Sequence, residues 1–492
     1  MDPTFVAALV IGIGVAVVLL RAERGRPPGP AERLAWTGLV SAFIALHLHP
    51  GLLTIHWGID TWVGLTPAGR ITTLAVGALA ALSIWSLLSR SARDPGASRV
   101  DTFPGPRGSL VAGLGAAVTF WLLRENLDVG DSWQVAEFAA DGLDRLVLFP
   151  RWPLASAVFG MAYRLAHRAF SAWDTVALVS CLAGGVGTVA ALAVLRRLYP
   201  PGASRWIAAG FLVTTYGIIQ PFAGHIEVYA LALVALLVFV WAALGTLQGR
   251  APWVAGAVGG LAVVTYVPLV IPVGSALGVL AWQRRRAEVP TLVAAAVAAI
   301  VPITFVYGWI WVRDVPGDWR HFLVTMRESL NLGWGGSSLI FVPAGRLLGK
   351  THALHVVNQW LLCDLVGLAL VGWGLATIGP RATGENPTTR LLAATALPTI
   401  LYTVVMNPLR RPADDWDLFA HAALLTALLG PCLLVRRLAS ESGWLRALAA
   451  VLLATSLAHT GPRLLVVHAA PPPETRFADI FGIGDLLRRN GV

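Results

Sequence analysis

The chain alternates from end to end between long apolar runs and short polar links. The runs, roughly 14 to 25 residues each, bracket the ~20 that an α-helix needs to cross the ~30 Å hydrocarbon layer of a bilayer. They predict spanning helices at 4–20, 34–47, 71–88, 110–123, 175–195, 206–221, 226–247, 253–266, 268–282, 289–311, 354–378, 391–406, 419–435 and 445–459. The stretch 253–282 is apolar throughout but interrupted by Gly259, Gly260 and Pro268, which predicts a broken, re-entrant pair. The expected fold class is all-α, a polytopic membrane protein with about 13–14 transmembrane helices.

Residues 154–170 decide how the spans are counted. The segment is apolar enough to cross, yet Arg164, His167 and Arg168 fall at i, i+3 and i+4 on one helix face, so it is expected to lie along the interface as an amphipathic helix. With that choice the arginine groups at 21–33, 90–107, 196–205, 284–286, 381–390 and 436–437 share the cytoplasmic side under the positive-inside rule. The links 124–152, 221–225, 312–353 and 407–418 then share the opposite side, as do both termini. The run at 4–20 follows Asp2 instead of a basic segment and precedes Arg21 and Arg24, which predicts a retained helix and not a cleaved signal.

Composition narrows the class further. The 492 residues are 56% hydrophobic and only 13% charged, with mean hydropathy +0.68, and this excludes an ordinary soluble core. The formal charge of +10 comes from arginines in the links, where they set topology, so no nucleic-acid partner is expected. Lys350 is the single lysine, a bias that a GC-rich coding sequence explains. Cys181, Cys363 and Cys432 fall inside apolar runs without CxxC spacing, which argues against a zinc site or a disulfide framework.

Three polar segments stand out because an ionisable group at a membrane boundary is costly unless it meets water, a partner or a ligand. The first is Arg124 to Pro153, which holds six acidic residues. Its GDS turn directs the Asp131 carboxylate back toward the membrane surface, and Ser132 is placed to cap the helix that follows. A plain helix cap accounts for Asp131 equally well. Glu125 and Asp128 are candidate supporting groups, while Glu137, Asp141 and Asp144 read as a solvated face. The second is Gly224-His225-Ile226-Glu227-Val228-Tyr229, at the entry to a strongly apolar helix. Glu227 carries the functional weight there; His225 alone reads more readily as interfacial, and a helix dipole also favours a glutamate in the first turn. The third is Arg410-Arg411-Pro412-Ala413-Asp414-Asp415-Trp416-Asp417, whose arginines suit a phosphate, whose carboxylates suit sugar hydroxyls, and whose indole offers a face to a sugar ring. An interfacial loop with internal ion pairs is the competing account. The Gly333–Ser338 run lacks the P-loop pattern, and His352, His355 and Asp364 lack a metal-ligand spacing.

These residues resemble the GT-C membrane glycosyltransferases, most closely the branch related to protein O-mannosyltransferases. The resemblance rests on the acidic external loop with its GDS motif, the proline-punctuated LFPRWPLASAVFG that follows, the HIEVYALALVAL helix entry and the DWDLFA segment. It covers roughly residues 110–419, and Ser-Trp-Gln after Asp131 and the lack of a histidine in FPRWP depart from the pattern.

The resemblance implies a catalytic core at 109–436 with its external loop at 124–170, added helices at 1–108, and a C-terminal transmembrane helix with a short external tail at 437–492. It also implies transfer of a sugar, mannose in that branch, from a polyprenyl-phosphate donor to a protein, lipid or glycan acceptor on the extracytoplasmic side of the plasma membrane. Asp131 matches the family's general base, with Glu227 as the second catalytic candidate. The candidate substrate-binding set is Glu125, Asp128, Ser132, Arg164, Arg168, His225, Tyr229, Arg410, Arg411, Asp414, Asp415, Trp416 and Asp417. Arginine can stabilise a leaving phosphate, so a divalent ion, Mg or Mn, is compatible but not required. The alternatives from other classes are a secondary transporter or lipid flippase, and a non-catalytic envelope scaffold.

Overall fold

Helix starts are encoded locally. Prolines occupy the first turns of the helices Pro106–Leu122 (α1), Pro153–Ala166 (α3), Pro252–Thr265 (α8) and Pro387–Val405 (α12), where a missing N–H costs nothing. Ser171 caps Ala172–Leu198 (α4) by accepting from the Asp174 N–H at 3.1 Å, and Asn386 caps α12 through the Thr389 N–H at 3.0 Å. Asp174 in the first turn of α4 and Arg196 and Arg197 in its last complement the helix dipole.

The computed structural model describes residues 103–125, 132–141, 151–283, 289–314, 344–406, 416–438 and 443–469, with isolated positions at 72, 73, 76, 79, 83, 320 and 342. Among them every regular element is helical. The remaining helices are Ser132–Asp141 (α2), Ala203–Thr214 (α5), Tyr216–Phe222 (α6), Tyr229–Leu247 (α7), Val270–Gln283 (α9), Val289–Asp314 (α10), Lys350–Glu385 (α11), Ala420–Leu438 (α13) and Gly443–His468 (α14). A four-residue helix at Ala344–Leu347 precedes α11, and 3₁₀ turns at Val267–Leu269 and Trp416–Phe419 lead into α9 and α13. Seven of the described helices are long and apolar enough to cross a membrane, and α8 and α9 are shorter apolar helices. The protein is a multi-pass membrane protein, helical in every described regular element.

Burial ranks these helices. The apolar window of α13 is 89% enclosed by the rest of the protein, and that of α10 only 11%, so α13 is central and α10 peripheral. Helices in lipid gain little from the hydrophobic effect against one another, and close approach through small residues takes its place. Gly113 of α1 and Gly185 of α4 meet backbone to backbone, where an added Cβ would stand 2.8 and 2.7 Å from the partner's carbonyl oxygen. Gly256 and Gly260 of α8 lie one turn apart against α10, where an added Cβ would run into the carbonyl oxygens of Ala295 and Ala299.

Two expectations need correcting. The run 206–221 is not one helix: α5 ends at Thr214 and α6 begins at Tyr216, with Thr215 extended at φ −85° and ψ 116°. The Thr214 carbonyl accepts instead from Ser456 Oγ at 2.8 Å and Thr460 Oγ1 at 2.5 Å, both on α14. Gly259 and Gly260 do not interrupt their helix either; they lie inside α8, and the chain turns at Tyr266–Leu269. The segment expected at the interface forms the 14-residue α3, about 21 Å long at 1.5 Å per residue and too short to cross. Its first turns are buried against α2, α4 and α8, and Arg164, His167 and Arg168 at its end are exposed.

Contacts between links fall into the two groups that arginine counting predicts. At one end Arg196 donates to Pro104 O at 2.7 Å, Arg197 lies 3.9 Å over Trp241, and Arg436 donates to Thr389 Oγ1 at 3.0 Å. At the other, Glu125 N donates to Ala223 O at 2.7 Å and Val267 N to Arg151 O at 2.8 Å, while His352 meets Val404 O at 2.7 Å and His468 meets Arg124 O at 3.0 Å.

Overpacking a tight helix crossing costs about 1–3 kcal/mol. Gly260→Leu is expected to lower the apparent unfolding temperature of the detergent-purified protein by several degrees. Gly274→Ala, where a Cβ meets nothing within 4 Å, is expected to leave it unchanged, and scanning fluorimetry of the two variants checks both.

Candidate functional site

Gly224 makes the site's decisive turn. Its φ of +75° suits glycine, and an added Cβ would stand 2.8 Å from the Cβ of Arg124. The turn ends α6, sets the chain against the Arg124–Glu125 segment and presents the next side chain, His225, to the interior. Ser180 of α4 fixes the turn from behind by donating to the His225 carbonyl at 2.9 Å.

The imidazole of His225 is held at both nitrogens. Nδ1 lies 2.7 Å from Glu125 Oε2 and Nε2 2.9 Å from Asp417 Oδ2. All three side chains are buried, at 2% exposure for Glu125, 1% for His225 and 5% for Asp417. Gln220 Nε2 donates to the same Glu125 oxygen at 2.7 Å. A carboxylate only accepts, so a ring that faces one at each nitrogen carries both protons and is an imidazolium. Burial alone would push its pKa down, but the charge of Glu125 and the bonds to both carboxylates outweigh it and hold the imidazole well above its ordinary value. Two carboxylates on one imidazolium leave a net negative charge at the centre.

Aromatic rings close over this relay. Trp416, at the head of the turn into α13, sits with its ring 5.3 Å from His225 and 5.0 Å from Tyr216. Beyond Asp417, the charge of this carboxylate reaches Tyr229 and Tyr266, whose rings are 5.4 Å apart. His421, one helical turn after Asp417, lies 6.0 Å from Tyr266 and 6.1 Å from Tyr402, and neither of its ring nitrogens has a hydrogen-bond partner among the described residues.

The three polar segments of the sequence thus meet, through Glu125, His225 and Asp417 with Trp416. Glu227 is buried in the same turn and its charge reaches Tyr229, but the hydrogen-bonded centre runs through His225, two residues earlier. Ser132 is fully buried at the start of α2. Arg164 and Arg168 lie exposed at the end of α3, apart from the relay. Asp128, Asp131, Arg410, Arg411, Asp414 and Asp415 lie outside the described residues.

Sequence reasoning did not single out Gln220, Tyr266, Tyr402 or His421. Gln220 is the one amide in its apolar run, and His421 stands at i+4 from Asp417; both spacings are readable signals. No three histidine, cysteine, aspartate or glutamate side chains are grouped to hold a metal among the described residues. No protein-family model, curated protein or solved structure matches the chain.

Removing one partner from a buried ionic pair costs roughly 3–5 kcal/mol, so His225→Gln is expected to be strongly destabilised. The pH dependence carries a sign. The raised imidazole pKa stabilises the folded protein fully below the unfolded value of about 6.5, and that contribution is lost as pH rises through the raised value. Unfolding temperature measured from pH 6 to 10 should fall on the alkaline side in the parent protein, and this component should be missing from His225→Gln.

Proposed function

We propose that the chain is an integral-membrane glycosyltransferase of the GT-C type, transferring a sugar, mannose by its family resemblance, from a polyprenyl-phosphate donor to an extracytoplasmic acceptor. The observation that carries this reading is the hydrogen-bonded union of Glu125, His225 and Asp417, drawn from three segments far apart in sequence. Such a charged, buried centre at one end of an apolar bundle is more than helix capping requires.

The reaction breaks the bond between the anomeric carbon and the donor phosphate and forms one to an acceptor hydroxyl, whose proton must be accepted. Asp131 takes that proton. The relay holds Asp417 in place to accept hydrogen bonds from sugar hydroxyls, with Glu227 as a further carboxylate in the turn that carries His225. Arginines of the loops, among them Arg164, Arg168, Arg410 and Arg411, supply positive charge for the leaving phosphate.

Loss of a general base lowers a rate by about 10²–10⁴-fold. Purified protein supplied with a radiolabelled polyprenyl-phosphate hexose and membrane extract as acceptor is expected to form labelled product. Asp131→Asn should lose transfer by about that factor at unchanged abundance, and full activity in that variant would remove Asp131 from the role. The rival reading, secondary transport, draws on the broken segment at Thr215, since interrupted spanning helices line transporter sites. Vesicle uptake of free label without covalent product would favour it.

A further inference from the structure

We propose that the helix break at Thr215 and the buried carboxylate of Asp364 together form a binding site for a single alkali cation, sodium or potassium, separate from the Glu125–His225–Asp417 centre. The proposal does not depend on glycosyl transfer.

Three observations converge on this place. First, the break lies within a segment apolar enough to span, and non-helical backbone at membrane depth persists only where protein or a polar cavity satisfies it. Unwound carbonyls of broken helices are a recurrent source of ligands for monovalent cations. Second, a cavity of about 10 Å³ lies against the break, the room of one water molecule or one unhydrated ion. Oxygen-bearing side chains on three helices line it: Thr215, Tyr216, Asp364, Thr455, Ser456 and Thr460. Third, Asp364 is 4% exposed within a helix long enough to span. Its oxygens receive the Gly367 N–H at 2.8 Å and the Thr426 hydroxyl, and no basic side chain pairs with it among the described residues.

Charge and size select the ligand. A lone carboxylate at membrane depth is costly without a compensating positive charge, and one carboxylate balances one monovalent ion. Hard oxygen donors suit alkali or alkaline-earth ions. A calcium ion would leave one positive charge unbalanced beside this single carboxylate, and magnesium retains several waters, for which a cavity of about 10 Å³ has no room. His459 also lines the cavity, but its Nε2 is engaged with Leu362 O at 3.2 Å, and Arg463 acts on the Tyr216 phenol.

The test is thermal unfolding of the full chain in detergent at pH 8.5, titrated with sodium, potassium or choline chloride at constant ionic strength. Sodium or potassium is expected to raise the unfolding temperature saturably over choline. Asp364→Asn should abolish the effect, and Thr460→Val, which removes a lining hydroxyl and keeps the side-chain volume, should raise the half-saturating concentration about tenfold or more. Identical curves in all three salts would overturn the proposal and leave a water or a proton at Asp364. An alkali-ion effect that survives in both variants would overturn it too. If Asp364→Asn does not fold, the Thr460→Val titration decides alone. Loss of sugar transfer in other variants has no bearing on this measurement.

Discussion

An imidazolium shared between two buried carboxylates tolerates little displacement. At 2.7 and 2.9 Å each bond is near its optimum, and separating a buried charge from its partner costs several kcal/mol, while the intact pair adds little over an apolar packing of the same volume. The relay therefore fixes geometry more than it adds stability. It requires the segment after α1, the turn after α6 and the turn before α13 to meet at one point. The left-handed Gly224, the Glu125–Ala223 backbone bond and the Ser180 hydroxyl all serve that meeting.

The bundle supplies the rigidity this geometry needs. Lipid offers helices almost no hydrophobic gain on pairing, so precision comes from backbone contact at small residues. Gly113 with Gly185 locks α1 to α4, which brings Glu125, just past the end of α1, beside the turn that α4 supports through Ser180. Asp417 stands in the turn that leads into α13, the most enclosed of the described spanning helices. The peripheral α10, held through Gly256 and Gly260 of α8, stands farther from the relay and carries most of its apolar surface outward.

Much of this was legible in the residues. Run length is dictated by bilayer thickness, so most helices fall near their expected places, and the three polar segments were visible because charge is so scarce. What the chain hid depends on partners distant in sequence. The break at Thr215 lies in an unremarkable apolar run and is held open by Ser456 and Thr460, more than 240 residues away. The cost of a carboxylate at a helix entry favours Glu227 over His225 when only spacing is known. Which side chain of that turn points at Glu125 is set by the φ of Gly224, which spacing cannot reveal. The paired glycines of α8 read as an interruption because a glycine's helix-packing role is visible only once α10 lies against it.

The relay and the cavity at Asp364 are physically continuous although they differ in chemistry. Asp364 follows Cys363 on α11; the Cys363 thiol donates to the Trp416 carbonyl at 3.3 Å, and the Trp416 indole packs 5.3 Å from the His225 ring. Tyr216, at the start of α6, lines the cavity on one side and meets Trp416 on the other. A shift of α11 or of the α5–α6 break would therefore press directly on the turn that carries Asp417. Two buried polar centres joined by packed rings and one hydrogen bond have few independent degrees of freedom, because protein interiors are close-packed and resist small displacements. Charge compensation at Asp364 is thus also a condition on the geometry in which His225 holds Asp417.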